Sequence, residues 1–173
     1  MGDGNLSNPN GRAIRLRITC DKKYPQLIKN FQKVIKKVLP NNKISLIKRD
    51  GGCLDISCYS NKWPKILGWK PGPKASQISG IPNWIKSDKK YLTHCLKGLI
   101  ETDGCIYKDR GYKMIGFTST IENLSKDVFY GMATLGFKPR IYKVKLPKKL
   151  ARFNVRLAKN VEMFINLVGP IKR

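Results

Sequence analysis

The sequence predicts an α+β protein of two similar halves, each a strand-strand-helix-strand-strand-helix unit. Three observations lead there. Short stretches of alternating polar and apolar residues bracket two amphipathic helices. The same order of elements occurs twice. Short signatures recur at an offset of about one hundred residues.

In the first half, Arg12 to Thr19 alternates, with Ile14, Leu16 and Ile18 on one face and Arg15 and Arg17 on the other. Asn8-Pro9-Asn10-Gly11 before it is a turn, so the segment from Asn5 completes a hairpin. Tyr24 to Leu39 places Leu27, Ile28, Phe31, Val34, Ile35 and Val38 at helical spacing, and Pro40 stops it. Two more strands follow, Lys43 to Lys48 and Cys53 to Tyr59, split by Asp50-Gly51-Gly52. In the second of them Leu54, Ile56 and Cys58 alternate with Asp55 and Ser57.

The order then repeats. Cys105 to Lys108 and Tyr112 to Ser119 form a hairpin around Asp109-Arg110-Gly111. Ile121 to Leu135 is a helix stopped by Gly136, Arg140 to Leu146 and Arg152 to Leu157 are strands, and Val161 to Val168 is a short helix. Gly2-Asp3-Gly4 matches Thr102-Asp103-Gly104, Thr19-Cys20 matches Thr118-Ser119, and Gly72-Pro73 resembles Gly169-Pro170. Residues 1–68 and 84–173 are then the halves, joined by a Gly-, Pro- and Ser-rich linker over 69–83.

Composition narrows the partner. At 173 residues the chain makes one domain, or two half-domains sharing a core. It is 41% hydrophobic and 9% aromatic, enough for a packed interior. Lys and Arg number 35 against 11 acids, a net charge of +24. Such an excess repels itself in a compact fold unless a polyanion offsets it, and nucleic acid is the commonest one. Five cysteines without Cys-x-x-Cys spacing read as reduced thiols of an intracellular protein. Adjacent His94 and Cys95 point apart on a helix, which suits ordinary packing better than a ligand pair. Trp63, Trp69 and Trp84 read as packing residues. No signal peptide opens the chain and no apolar run approaches a membrane span.

The sharpest motif is Leu96-Lys97-Gly98-Leu99-Ile100-Glu101-Thr102-Asp103-Gly104. It reads as a helix with a bare face at Gly98, where a second helix could approach, ending in an acid and then a glycine. An acid at a helix end, facing a symmetric partner acid, suits a hard divalent cation.

This nonapeptide resembles the LAGLIDADG motif of homing endonucleases, matching it at Leu96, Gly98, Leu99, Ile100, Asp103 and Gly104, with Glu101 conservative for Asp. The lead-in Ile81-Pro82-Asn83-Trp84-Ile85 and the hairpin-helix-hairpin-helix order after the motif resemble the second half of single-chain, two-motif members. The resemblance implies two pseudo-symmetric αββαββα half-domains whose four-stranded antiparallel sheets form a DNA-binding saddle. It implies a divalent cation, usually Mg²⁺, held by the terminal acid of each motif, and hydrolysis of both DNA strands. Carried over, Asp103 is the ligand of the second half, helped by the Thr102 carbonyl, and Asp3 is the ligand of the first. The helix leading into Asp3 is truncated in this chain to Met1 and Gly2. Lys62 and Lys159 match the family's basic residue beyond the fourth strand of each half, where a lysine activates water or steadies phosphorane charge.

On the expected strands the outward faces carry Arg15 and Arg17, Asp55 and Ser57, Lys143 and Lys145, and Arg152, Asn154 and Arg156. The opposite faces carry Leu16 and Ile18, Leu54 and Ile56, Tyr142 and Val144, and Phe153, Val155 and Leu157. Such a sheet packs helices behind it and offers Arg and Asn to base edges. From Phe137 onward Glu162 is the one acid among many Lys and Arg, a dense phosphate-binding footprint. The expectation is therefore a monomeric, site-specific double-stranded DNA endonuclease of intron or intein type. The rivals are a non-cleaving maturase that binds intron RNA, a degenerate DNA-binding relative, and a ribosomal or transcription factor of unrelated fold.

Overall fold

The computed structural model describes residues 4–73, 77, 80–145 and 150–170. The chain divides into two compact units on either side of residues 78–79. The first unit runs β1 (Gly4–Ser7), β2 (Arg15–Asp21), α1 (Pro25–Val38), β3 (Ile44–Lys48), β4 (Cys53–Tyr59) and α2 (Trp63–Leu67). The second runs α3 (Asn83–Lys86), α4 (Lys89–Thr102), β5 (Gly104–Asp109), β6 (Tyr112–Ser119), α5 (Glu122–Thr134), β7 (Arg140–Val144), β8 (Arg152–Leu157) and α6 (Val161–Val168). Each unit has one four-stranded antiparallel sheet, ordered β1-β2-β4-β3 and β5-β6-β8-β7. The α+β class and the repeated order are those the sequence predicts.

In the first unit Leu6, Leu16, Cys20, Ile56 and Cys58 line one sheet face and pack with Ile28 and Ile35 of α1. Trp63 closes this core, its indole N–H donating to the Cys58 carbonyl at 3.0 Å. Pro25 opens α1 and Leu39 ends it before Pro40. The helical stripe is narrower than expected. Val34 and Val38 are exposed, because the sheet is met by the side of the helix that carries Ile28 and Ile35.

In the second unit Asp88 caps α4, its Oδ1 accepting from the N–H groups of Lys90 (2.7 Å) and Tyr91 (3.1 Å). Leu92, Leu96 and Ile100 of α4 join Val128 and Met132 of α5 and Ile115, Phe117, Val155 and Leu157 of the sheet in a buried core. The helices close at Gly131 of α5, where an added Cβ would lie 3.1 Å from Leu92 Cδ1. Gly98 is not that contact: a Cβ there would meet nothing within 4 Å among the described residues. Asp127 of α5 pins the segment entering α3, accepting from the Ile81 N–H (2.7 Å) and pairing with Lys86 (3.1 Å). Trp84 of α3 is 64% exposed, edge-on to Tyr91, so the packing expected of it fails. None of the five cysteines is in a disulfide, and burial pushes the Cys95 thiol up to about 11. No helix among the described residues is long and apolar enough to cross a membrane.

The faces of β7 need correction. In its register with β8, Arg140, Tyr142 and Val144 stand opposite Arg156, Asn154 and Arg152, so these six share the outward face. Lys143 stands opposite Phe153 on the other face, its ammonium 5.4 Å from the ring centroid, a cation–π distance. Lys145 is exposed beyond the end of β7. Ser57 and Asp55 do lie on the outward side of β4, but each is only 1% exposed. Both sit on a central strand, opposite Arg17 and Thr19 of β2 on one side and Ser45 and Ile47 of β3 on the other.

Asp55 is an acid buried under this basic surface. Its Oδ2 accepts from Arg49 Nε (2.7 Å) and pairs with Nη2 (2.7 Å), while Oδ1 accepts from the Thr19 hydroxyl (2.7 Å). Burial pushes its pKa up, but the Thr19 and Arg49 hydrogen bonds and the Arg49 charge outweigh that, leaving it below the usual carboxylate value. A depressed folded pKa lends stability that is present above the unfolded value, about 4, and lost as pH falls through the lower folded one. Arg49→Met strands this carboxylate and should cost about 1–3 kcal/mol at neutral pH. Lys23→Met, which breaks the exposed Lys23–Asp21 pair, should leave stability unchanged. Denaturant unfolding of both variants checks this, and equal losses would refute the role given to Asp55.

Candidate nucleic-acid interface and metal-ligating acid

Asp103 stands where α4 becomes β5. It is the C-cap of a 14-residue helix, its N–H donates to the Leu99 carbonyl at 3.0 Å, and its own carbonyl accepts from Thr118 of β6 at 3.4 Å. Gly104 follows with no room to spare: an added Cβ would lie 2.6 Å from Ile100 Cα and 2.7 Å from its carbonyl oxygen. Glycine is therefore a steric requirement for a helix that turns straight into a strand, and the acid before it is fixed by backbone bonds on both sides. Asp103 is half-buried. The Thr102 hydroxyl is engaged with its own helix, donating to the carbonyls of Gly98 (3.0 Å) and Leu99 (3.3 Å), which leaves only its backbone oxygen as a candidate ligand.

The donors at this helix end are hard oxygens at the negative pole of the α4 dipole, and both properties favour a cation. Among the described residues no three His, Cys, Asp or Glu side chains form a metal-holding group. Mg²⁺ does not need one. It is commonly held by one or two carboxylates, with water and substrate phosphates completing an octahedron. The residues present fit such an ion. Asp3, the corresponding acid of the first half, lies outside the described residues.

Both lysines lie between a sheet's second inner strand and the helix that follows it, but not at equivalent positions: by register Lys159 is level with Ser60. Lys62 is exposed between β4 and α2, with its N–H donating to Ser60 Oγ at 3.2 Å, and Lys159 is exposed between β8 and α6.

Each sheet turns one face away from its core. On the first, Asn5, Ser7, Arg15, Arg17 and Thr19 stand beside Tyr59, Ser57 and Asp55, and Arg15 Nε donates to Ser7 Oγ at 3.3 Å. On the second, Tyr107, Asp109, Thr118, Arg152, Asn154, Arg156, Arg140 and Tyr142 share the outward side. Thr118 donates to Asn154 Oδ1 at 2.9 Å, and Arg156 Nη2 pairs with Asp109 at 2.5 Å. Of the residues expected on these faces, Arg15, Arg17, Arg152, Asn154 and Arg156 are there with polar groups to offer. Ser57 is covered, Lys143 is on the other side, and Lys145 is beyond the strand. Sequence reasoning passed over Arg49, Arg140 and the exposed tyrosines Tyr107, Tyr112 and Tyr142. For Arg140 and Tyr142 the signal was their alternate placement on β7; Arg49, beyond the end of β3, gave none.

Residues 90–169 match the LAGLIDADG-like domain family. In fold the chain is similar to the homing endonuclease I-DmoI. A structure of mesophilic I-DmoI variants matches with a TM-score of 0.68 at 18% identity, over 96% of this chain and 88% of that one. I-DmoI in complex with DNA and Mn matches at 0.66 and 18%, over 98% and 89%. The N-terminal LAGLIDADG domain of DUF199/WhiA matches at 0.58 and 10%, over 96% and 77%. No curated protein matches the sequence.

The two motif glycines should respond oppositely to one methyl group. Gly104→Ala meets helix backbone and should destabilise the second unit by about 1–3 kcal/mol. Gly98→Ala has open space and should gain up to about 1 kcal/mol, since alanine favours the helix. Thermal unfolding of the pair measures the difference, and a Gly104→Ala protein as stable as the parent would show that the junction is not sterically closed.

Proposed function

We propose that this protein is a site-specific, divalent-metal-dependent endonuclease of double-stranded DNA, of the intron- or intein-encoded homing type. The observation that carries the proposal is Asp103, fixed by backbone bonds at the end of α4, in the same unit as an outward sheet face of Arg140, Arg152, Asn154 and Arg156. The I-DmoI likeness supports the fold on which such chemistry runs, and one of the matching I-DmoI structures holds DNA and Mn. In this reading residues 1–68 and 84–173 are halves joined by 69–83, acting as an intracellular monomer on one duplex.

The Asp103 carboxylate, with the Thr102 carbonyl, would hold the cation in the second half, and Asp3 would do so in the first. A cation held there, Mg²⁺ or a similar ion, would supply charge neutralisation at the phosphoryl group and a more acidic water. Lys159 and Lys62 would donate to that water or to the developing phosphorane oxygens. Arg15, Arg17, Arg140, Arg152 and Asn154 would hold the duplex, the strand arginines at base edges and the loop lysines at phosphates. A second reading, binding without cleavage, is favoured by the likeness to WhiA, which is described by its LAGLIDADG domain and not as an endonuclease.

Affinity for duplex DNA should fall steeply with salt. Roughly six to ten phosphate contacts would lose about 10³- to 10⁵-fold between about 50 and 200 mM. A flat dependence in a binding titration would remove the electrostatic basis of the proposal.

Asp103→Asn keeps the size of the side chain and removes the charge that a hard cation needs. It should abolish Mg²⁺-dependent cleavage of a mapped target while leaving binding equal or tighter. Cleavage at the parent rate would refute the metal role. A parent and a variant that both bind and never cut with any divalent ion would favour the non-cleaving reading.

A further inference from the structure

We infer that Arg49 is a specificity-determining residue of the first half, set by Asp55 and Thr19 to contact a guanine rather than a phosphate. This rests on the DNA-binding reading above and names a residue within it. Arg49 follows β3, with its backbone N–H bonded to the Cys53 carbonyl across the hairpin at 3.0 Å. Its guanidinium carries five N–H donors in a rigid fork. Nε and Nη2 are turned to Asp55 Oδ2, each at 2.7 Å, and the Thr19 hydroxyl holds the other carboxylate oxygen at 2.7 Å. The carboxylate is buried while the arginine is half-exposed, its side chain 49% accessible. The anchored edge faces the sheet, and the donors of Nη1 with the second N–H of Nη2 remain for a ligand.

Those remaining donors form a parallel pair, the pattern that fits O6 and N7 of guanine in the major groove. Adenine offers N7 beside an amino donor, so one of the two contacts turns repulsive. A phosphate is also a poor fit, because the Asp55 carboxylate already sits on this guanidinium and repels a second anion. The neutral acceptors of a base meet no such repulsion. The anchored side chain has less rotamer freedom to lose on contact. Arg17 of β2, separated from β3 by β4, has no side-chain hydrogen bond among the described residues, so no acid fixes the orientation of its guanidinium.

The second half shows the device removed. Asn154 stands opposite Thr118 as Asp55 stands opposite Thr19, and the hydroxyl bond is kept at 2.9 Å. The neutral amide holds no arginine among the described residues. Asp55→Asn therefore copies an arrangement that this fold already accommodates.

The test selects binding sites from a randomised duplex library for the parent, Arg49→Ala and Asp55→Asn, each first checked for cooperative unfolding. The parent should require guanine at one position. Arg49→Ala should lose about 5- to 150-fold at the guanine site and little or nothing when that base is changed. Asp55→Asn, which keeps Arg49 but frees it, should flatten preference at the same position without weakening overall binding. A parent that selects a site and an Arg49→Ala variant that selects it unchanged would overturn the inference alone. Equal loss at every sequence would also overturn it, making Arg49 a phosphate contact. A parent that enriches no sequence would overturn the site-specific reading and the inference with it.

Discussion

The junction at Gly104 sets where everything in the second unit can be. A helix entering a strand without a loop brings its last turn against the first strand residue, and here Ile100 occupies the volume a side chain would need. Once glycine allows the turn, α4 runs beneath the sheet with Leu92, Leu96 and Ile100 in the core, and Asp103 falls at the boundary between core and outward face. The position of the acid is thus a by-product of packing. Its backbone is tied to Leu99 and Thr118, so the carboxylate is carried on the most constrained part of the unit.

With so few acids against so many bases, where the acids sit matters more than their number. Asp55 holds Thr19 and Arg49, Asp109 holds Arg156, Asp127 holds the α3 lead-in, and Asp88 caps α4. Glu122 and Glu162 pair with Lys126 and Lys113. These acids organise the fold locally and leave most lysines unpaired at the surface. A structure so charged is stabilised by anything polyanionic that binds the folded state, which couples its stability to its partner.

Much of this was legible in the sequence, for identifiable reasons. β2 and β8 alternate strictly between apolar and polar residues, as β4 does from Leu54 to Cys58, and a period of two leaves little choice of face. β7 misled because Ile141 and Tyr142 are adjacent and both apolar enough to face a core, so five residues at a sheet edge could not fix the register. Ser57 misled for another reason: its face was right, but burial on a central strand depends on the length of neighbouring side chains, which no periodicity records. Within the second unit the tight helix approach lies at Gly131, whose place in α5 gives no local signal. Of the candidate site, Asp103 was singled out by the nonapeptide Leu96–Gly104 and its resemblance to the family motif, which fixed its place at a helix end. The tie between Arg49 and Asp55 was not, since it joins two strands across a turn.

The repeated fold does not carry a repeated surface. In the matching registers, Arg17 of β2 stands opposite Ser57 of β4, whereas Gly116 of β6 stands opposite Arg156 of β8. The arginine has changed strands, and with it the lateral position of the positive charge on the outward face. Beside that pair, Thr19 faces an acid and Thr118 faces an amide. A ligand contacted by both faces would meet different donors at corresponding places, even though the backbones repeat. Hydrogen-bond readout follows side chains and not topology. Two like folds therefore present two unlike outward faces, and a repeat of the backbone is no repeat of the donors.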